Sequence, residues 1–165
     1  MNISKFIIVL LIFTGSLGSC KTIASEEVFK PIIPNEDLIA FFEEHLPRLK
    51  PSIFLECFFF DKEDREDKCI IINSEDEFRK SFSCSLMILP AIDFDSHTLI
   101  IGQHQVPCIC DYIVEQEIIV KSEEVILNLR WGCPDGSYSG FGTLSYWGLY
   151  PKIQAKEISV NIINQ

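Results

Sequence analysis

Apolar residues at helical spacing predict a first helix that begins after Asn35 and ends at Pro47. Phe41 widens its apolar face, which is otherwise formed by Leu38, Ile39, Phe42 and Leu46. Asn35 is expected to cap the helix, because its side-chain oxygen can accept a hydrogen bond from a free backbone amide of the first turn. A helix with one apolar face must pack against another element.

A second, shorter helix is predicted over residues 74–82. Ser74 and Glu77 have the spacing of a capping box, in which each side chain satisfies a backbone amide of the other residue. Phe78 and Phe82 are four positions apart and form the inner face of this helix. Polar residues therefore define its start, and two aromatic rings attach it to the core.

Most of the remaining chain has the branched and aromatic composition of β-strands. The predicted strands cover residues 53–60, 69–73, 98–102, 112–120, 125–131, 142–149 and 157–163. The charged segment 61–68 is expected to be a solvated hairpin tip and not a calcium loop, because cations alternate with its acids and the glycine of an EF-hand is missing. Short links without helices favour antiparallel pairing. The predicted fold class is α+β: an antiparallel sheet with a sandwich or half-barrel tendency and one or two short packed helices.

The first 19 residues predict a secretory signal. A basic start precedes an apolar stretch at 6–13, which is far shorter than the ~20 residues that a membrane-spanning helix needs. Leu17-Gly18-Ser19-Cys20 then resembles a lipobox, the processing site of bacterial lipoproteins, which implies cleavage between Ser19 and Cys20 and a lipid on Cys20. The alternative is an ordinary signal with a chance cysteine, which Leu17 disfavours. The chain is therefore divided into a signal at 1–19, a lipidated cysteine with a flexible tether at 20–34, and a single α+β domain at 35–165.

The charge balance restricts the partners. The chain has 14 basic and 24 acidic residues and a formal net charge of −10; Lys5 alone of these lies in the signal, so the mature chain carries −11. Such a balance repels phosphate backbones and anionic headgroups, so no nucleic acid partner is expected and membrane contact is left to the lipid on Cys20. Lys21 stands where an aspartate commonly signals retention in the inner membrane. The expected location is therefore the bacterial cell envelope, with the outer membrane favoured.

Six cysteines remain once Cys20 is assigned to the lipid, and an even number in an oxidising compartment predicts a disulfide framework. They are Cys57, Cys69, Cys84, Cys108, Cys110 and Cys133. The preferred bridge joins Cys133 to Cys108 or Cys110, and a second candidate joins Cys57 to Cys69. The alternative is a zinc site formed by His104, Cys108, Cys110 and Cys133. The spacing disfavours it, because only one residue separates Cys108 from Cys110. No metal or cofactor is expected.

Aromatic residues concentrate near the C-terminal strands and around a glycine-bounded loop at 132–142. Trp131, Tyr138 and Tyr146 are expected to be exposed there and to bind an envelope protein or a glycan. Phe141, Trp147 and Leu149 alternate along a strand, so they are expected to point into the core.

Candidate catalytic groups are few. Asp93 and Asp95 face the same way in an extended chain, as a glycosidase pair does, but aspartates at the start of a strand commonly form turns. Ser96 and His97 are adjacent and cannot easily serve one another, and the chain has no G-x-S-x-G nucleophile elbow. We therefore expect no catalytic residues and a protein that is not an enzyme.

Three segments resemble a group of small envelope lipoproteins of Bacteroides-type bacteria: IINSEDEF at 71–78, LPAIDFD with TLIIG at 89–102, and YWGLYPK at 146–152. The resemblance implies a lipid-anchored β-rich domain and brings no established activity. The D-F-x-x-x-T-L strand start also resembles β-rich domains of proteins that stabilise or inhibit proteases. The predicted function is a non-enzymatic binding or interaction module; the alternatives are a protease-inhibitor-like or protease-stabilising envelope module and a small envelope hydrolase.

Overall fold

Two open sheets and two helices make up the part of the protein that the structure describes. The computed structural model describes residues 26–46, 59–60, 66–108, 112–121, 124–132, 139–155 and 157–164, with the backbone alone at 108, 112, 139 and 164. The elements in chain order are β1 (Glu26–Phe29), α1 (Glu36–His45), β2 (Lys68–Ile72), α2 (Glu75–Ser81), β3 (His97–Cys108), β4 (Tyr112–Lys121), β5 (Glu124–Gly132), β6 (Ser139–Pro151) and β7 (Ser159–Asn164).

The strands divide between a four-stranded outer sheet, in the order β1-β4-β5-β7, and a three-stranded central sheet, in the order β2-β3-β6. Every pairing between neighbouring strands in these sheets is antiparallel except β5 with β7, which is parallel. Strand β7 belongs to the outer sheet, although β6, which precedes it in the chain, belongs to the central sheet. Mostly antiparallel sheets with two helices confirm the predicted α+β class and its sandwich tendency.

The central sheet is buried on both faces. In β3, Leu99, Ile100 and Ile101 are all fully buried, because successive side chains point to opposite faces and each face is covered. Ile100 packs between the two sheets, whereas Leu99 and Ile101 pack against the helices. The described part of the molecule therefore has three layers: the outer sheet, the central sheet and the two helices.

Helix α1 is found where it was predicted. Asn35 Oδ1 accepts a hydrogen bond from the backbone amide of Leu38 at 2.9 Å, as an N-cap does. Phe42 lies at the centre of the apolar face, where its ring stacks on Trp147 of the central sheet with the ring centroids 4.2 Å apart. The Phe42 ring also stacks on Phe59, with the ring centroids 5.6 Å apart. Aromatic packing thus attaches the helix to the central sheet.

Helix α2 begins with the predicted capping box, except that the Glu77 side chain binds the amide one residue earlier than predicted. Ser74 Oγ accepts the backbone amide of Glu77 at 3.2 Å. The Glu77 carboxylate accepts the amide of Asn73 at 2.6 Å, where the sequence pattern predicts that of Ser74. Both interactions still satisfy backbone amides at the helix start. Phe78 and Phe82 are buried, as predicted.

The predicted flexible tether at 20–34 is wrong for the part that the structure describes. Strand β1 lies inside it and pairs with β4, with Phe29 opposite Ile118. Beyond β1, the backbone amide of Ile32 donates to the carbonyl oxygen of Leu149 at 2.7 Å. The segment is fixed because Phe29 packs against the core between the two sheets. The two glutamates before it give the segment the polar composition of a spacer.

Two predicted elements lie largely outside the described residues. They are the strand at 53–60, of which only Phe59 and Phe60 are described, and the charged tip at 61–68, of which only 66–68 are described. Phe59 is buried in the helical core cluster and is not in a strand. Strand β2 matches the prediction at 69–73 and pairs with β3. In the part of the chain that the structure describes, no helix is long and apolar enough to cross a membrane.

Candidate binding surface

The aromatic surface predicted for Trp131, Tyr138 and Tyr146 is wrong at both positions that the structure describes. Trp131 and Tyr146 are 4% and 2% exposed, and Tyr138 lies outside the described residues. Trp131 points between the sheets, where it packs with Val106 and Leu144. It is buried because it falls on the inward face of β5, whose alternate residues from Val125 onward are all buried.

Phe141 shows the opposite departure. The sequence predicts Phe141 in the core, but its side chain is 85% exposed. Trp147 and Leu149, predicted with it, do pack in the core. Alternation places all three on the helix-facing side of β6, but the helical core cluster covers that side only near Trp147 and Leu149. Alternation therefore identifies the face of a strand but not how far the next layer extends over it.

Tyr146 is buried because a glycine makes room for its ring. Cys69, Gly102 and Tyr146 are consecutive partners across β2, β3 and β6. A Cβ at Gly102 would lie 2.1 Å from the Tyr146 ring, so the ring covers the glycine directly. The Tyr146 hydroxyl reaches β2, where it donates to the carbonyl oxygen of Lys68 at 3.3 Å. Burial raises the pKa of this hydroxyl, which keeps it protonated and able to donate.

The predicted disulfide framework is wrong at Cys69. This residue has a free thiol, so it forms no bridge with Cys57 in this structure. Burial raises the pKa of the Cys69 thiol to about 11, against a smaller lowering by its hydrogen bond with Tyr146. Cys84 is disulfide-bonded. The predicted bridge of Cys133 with Cys108 or Cys110 stays a prediction, because all three side chains lie outside the described residues.

His104, the imidazole of the zinc alternative, contacts a carboxylate instead. Its Nδ1 lies 2.8 Å from Asp67 Oδ2. The other carboxylate oxygen of Asp67 accepts the backbone amide of Gln105 at 2.9 Å. The Asp67 side chain therefore joins the start of β2 to the middle of β3. Within the described ranges, no three histidine, cysteine or acidic side chains are grouped as metal ligands.

The candidate catalytic aspartate Asp93 forms a turn. Its Oδ1 accepts the backbone amide of Asp95 at 3.1 Å, and its carbonyl oxygen accepts the amide of His97 at 3.0 Å. The hydrogen bond of its carboxylate with the Ser96 side chain is the main cause that lowers the pKa of Asp93. The His97 imidazole lies against the same carbonyl oxygen, with Nδ1 at 3.1 Å. These four residues shape the start of β3.

Among the described residues, the two most exposed large apolar side chains lie between α2 and β3, in residues 83–92, which we call the 83–92 loop. Leu86 is 97% exposed and Ile88 is 92% exposed. Met87 and Leu89 pack against the helical core cluster, so the side chains alternate between solvent and core. Sequence reasoning missed this surface because SLMIL has the composition of a buried strand. The available signal was its position: an apolar run in a connection has only one side to bury.

The 83–92 loop is fixed at its base. Cys84 is disulfide-bonded and packs against the helical core cluster, and its carbonyl oxygen accepts the amide of Met87 at 3.4 Å. From α2, Arg79 Nη1 donates to the carbonyl oxygen of Met87 at 3.4 Å. The second guanidinium nitrogen of Arg79 pairs with Glu75 at 3.2 Å. Leu86 therefore projects from a turn whose two ends are attached to the core.

Two aliphatic side chains held in water suit an apolar pocket on another molecule. Fully burying one leucine or isoleucine side chain contributes about 1.5–3 kcal/mol. A loop that is already fixed loses little further conformational freedom on binding. Isolated exposed hydrophobics are common on protein surfaces; here two of them share one short fixed segment.

No family model, curated protein or solved structure matches this chain.

Proposed function

We propose that this chain is a lipid-anchored protein of the bacterial cell envelope whose domain binds a partner protein through the 83–92 loop. In this proposal the signal at 1–19 is removed and Cys20 carries the lipid. The outer membrane then holds the domain, which acts as a non-enzymatic interaction module. The lipobox-like segment Leu17-Gly18-Ser19-Cys20 supports the anchor.

One observation carries the binding part of the proposal. Leu86 and Ile88 are almost fully exposed although the loop that bears them is attached to the core through Cys84, Met87 and Leu89. A loop with no binding role gains nothing from two aliphatic side chains in water, because each loses the favourable transfer from water that burial provides.

The chemistry of these side chains favours a protein over a glycan. Aliphatic groups bind pockets lined with apolar side chains, and such anchors dominate the energy of protein interfaces. The aromatic candidates Trp131 and Tyr146, which a sugar ring would stack on, are buried. The net charge of −10 disfavours nucleic acid and anionic lipid as ligands.

Site-specific cross-linking in the native bacterium tests the binding surface. A photoreactive amino acid at the exposed Ser85 is expected to capture one envelope protein. The captured protein is then purified, and its affinity for the full chain is measured by calorimetry. We expect Leu86→Ser or Ile88→Ser to weaken binding about tenfold or more, the effect of losing about 1.4 kcal/mol of apolar burial.

Ile33→Ser is the matched control, because Ile33 is also an isoleucine, 89% exposed, and lies outside the 83–92 loop. It should bind with unchanged affinity. Equal affinity for all variants contradicts the proposed surface. The probe could instead capture lipid alone. If Leu86→Ser then also abolished binding to phosphatidylethanolamine–phosphatidylglycerol vesicles, the 83–92 loop would be a membrane contact.

The anchor is tested separately by fatty-acid labelling of cells with a clickable analogue. We expect the label on the wild-type chain and none on Cys20→Ser, which should also leave the membrane fraction. Label that persists on Cys20→Ser contradicts lipidation at this residue.

A protease inhibitor is the second candidate, favoured by the way the loop presents Leu86. Inhibitors that bind like substrates present a large exposed side chain from a loop that is fixed before binding. We expect inhibition of an envelope serine protease that prefers leucine, measured as a fall in the initial rate of peptide hydrolysis. Leu86→Asp should abolish inhibition and Ile33→Asp should not. Unchanged inhibition by Leu86→Asp, or none by the wild type, contradicts this candidate.

A further inference from the structure

Strand β1 shortens the connection between the domain and Cys20. The chain is fixed from Glu26 onward by its pairing with β4. Six peptide units separate Cys20 from Glu26, and a fully extended chain of that length spans at most about 22 Å. A lipid on Cys20 is therefore confined to a short radius around Glu26.

Glu26 lies at one end of the outer sheet. It is opposite Lys121, and Lys121 is in turn opposite Glu124, so the three residues form the last row of the sheet, where β4 ends and β5 begins. Lys121 Nζ lies 3.4 Å from Glu26 Oε2 across that row. The chain that leads to Cys20 therefore leaves the domain beside the end of β4 and the start of β5.

The opposite end of the domain is far from this point. Tyr112 and Gly132 form the last row at the other end of the outer sheet, about 30 Å along the strands from Lys121. The two sheets are aligned there, because Val106 and Leu144 of the central sheet pack against Trp131 of the outer sheet. The exposed Phe141 on β6 thus lies toward the same distal end.

We infer that the end of the domain formed by Glu26, Lys121 and Glu124 faces the membrane and that the end carrying Gly132 and Phe141 points away from it. This inference rests on the lipid at Cys20 in the proposed function. The partner of the membrane-facing end is a lipid headgroup surface.

The charges oppose an orientation in which a broad face lies on the membrane. The exposed face of α1 carries four acids and no cation: Glu36, Asp37, Glu43 and Glu44. Away from the end row, the exposed or half-buried charged residues of the outer sheet, together with Lys30, are still acidic in excess of basic: Glu27, Glu115 and Glu117 against Lys30 and Arg130. Both broad faces are therefore repelled by anionic headgroups.

Energy transfer between the domain and labelled lipid tests the orientation. The full chain is purified with its lipid, and the lipid on Cys20 is confirmed by mass. A clickable amino acid at Glu124 or at Phe141 carries the donor dye, and phosphatidylethanolamine vesicles carry the acceptor in the headgroup. We expect transfer at Glu124 to exceed that at Phe141 about twofold or more, because the two sites lie toward opposite ends of the domain, about 30 Å apart along the strands.

A spacer variant supplies the matched control. Ten glycine and serine residues inserted between Ser25 and Glu26 leave the described part of the domain unchanged and lengthen the connection. They should lower transfer at Glu124 and narrow the difference between the sites. Equal or reversed transfer in the lipidated wild-type chain overturns the inferred orientation. Absence of the lipid mass would instead refute the proposed anchor, so the two failures are distinguished.

Discussion

Gln116 Nε2, on β4 of the outer sheet, donates a hydrogen bond to the Tyr150 hydroxyl, on β6 of the central sheet, at 2.6 Å. The same nitrogen donates to the carbonyl oxygen of Trp147 at 3.2 Å. Gly148 leaves room for this amide, since a Cβ there would lie 2.5 Å from Nε2. Otherwise apolar side chains surround the pair. A buried polar bond of this kind links the two sheets in one defined arrangement.

We expect Gln116→Leu to destabilise the protein by about 1–3 kcal/mol, because the Tyr150 hydroxyl loses its partner in an apolar interior. The double variant with Tyr150→Phe should recover part of that loss, since both polar groups are then removed. Urea unfolding measures the free energies. Asn161→Ala, which removes an exposed hydrogen bond to Asn128, is the control and should change stability little. Purely additive losses in the double variant contradict a direct coupling.

Gly102→Ala is expected to destabilise the protein by more than about 2 kcal/mol, because the new Cβ overlaps the Tyr146 ring and the core must shift. Replacing Tyr146 by alanine in the Gly102→Ala chain removes the overlap. We therefore expect the second substitution to cost less in that background than in the wild type. Thermal and urea unfolding measure the difference. A Gly102→Ala chain as stable as the wild type would show that the ring does not lie over this glycine.

The buried thiol of Cys69 gives a pH dependence of stability. Its pKa is raised from 9.0 to about 11 in the folded protein, so the folded state keeps the proton over a range where the unfolded chain loses it. The free energy of unfolding should therefore fall as pH rises from about 9 to about 11, by about 2–3 kcal/mol from this group. The free energy of unfolding is measured by urea unfolding at about pH 8, 9, 10 and 11, which covers this range.

Cys69→Ala is the comparison for that series, because it keeps Tyr146 and Tyr150, whose raised pKa values act in the same direction. The alanine variant should lose less stability between pH 9 and pH 11, the interval set by the two pKa values of the thiol. Identical pH profiles for the two proteins contradict a buried, free Cys69.

The capping box at α2 separates two contributions. Ser74→Ala should cost about 1 kcal/mol, because the amide of Glu77 loses its acceptor. Glu77→Ala should cost a similar amount through the amide of Asn73, whereas Glu77→Gln retains an acceptor oxygen and should cost less. Urea unfolding compares the three. A Glu77→Gln chain as unstable as Glu77→Ala would show that the bond to Asn73 does not contribute.

Local patterns predicted the helices well because their determinants lie within a few residues. Asn35 caps α1 and Ser74 caps α2 through bonds to residues three positions on. These contacts require no knowledge of the rest of the chain. Strands β2 to β7 are likewise found near their predicted positions, because alternation and composition are also local, whereas β1 was missed. The antiparallel α+β class follows from the same information.

The binding surface could not be predicted in this way, because exposure depends on how far other layers extend. Tyr146 is buried by the absence of a side chain at Gly102, forty-four positions away. Phe141 is exposed because the helical layer ends before it. The alternation at Leu86 and Ile88 appears only once the core under Met87 and Leu89 is known. Residue type alone assigns these positions to the wrong side.

Strand β1 also determines how the domain would carry a mechanical load. With the lipid on Cys20, a pull on the domain enters the fold at Glu26 and runs along β1. It loads the four β1–β4 residue pairs together, in shear and not one after another. The bond from Ile32 to Leu149 lies behind them as a second attachment, to the central sheet. Strand β1, which has the composition of a spacer, is therefore the element that would transmit force between the lipid anchor and the rest of the domain.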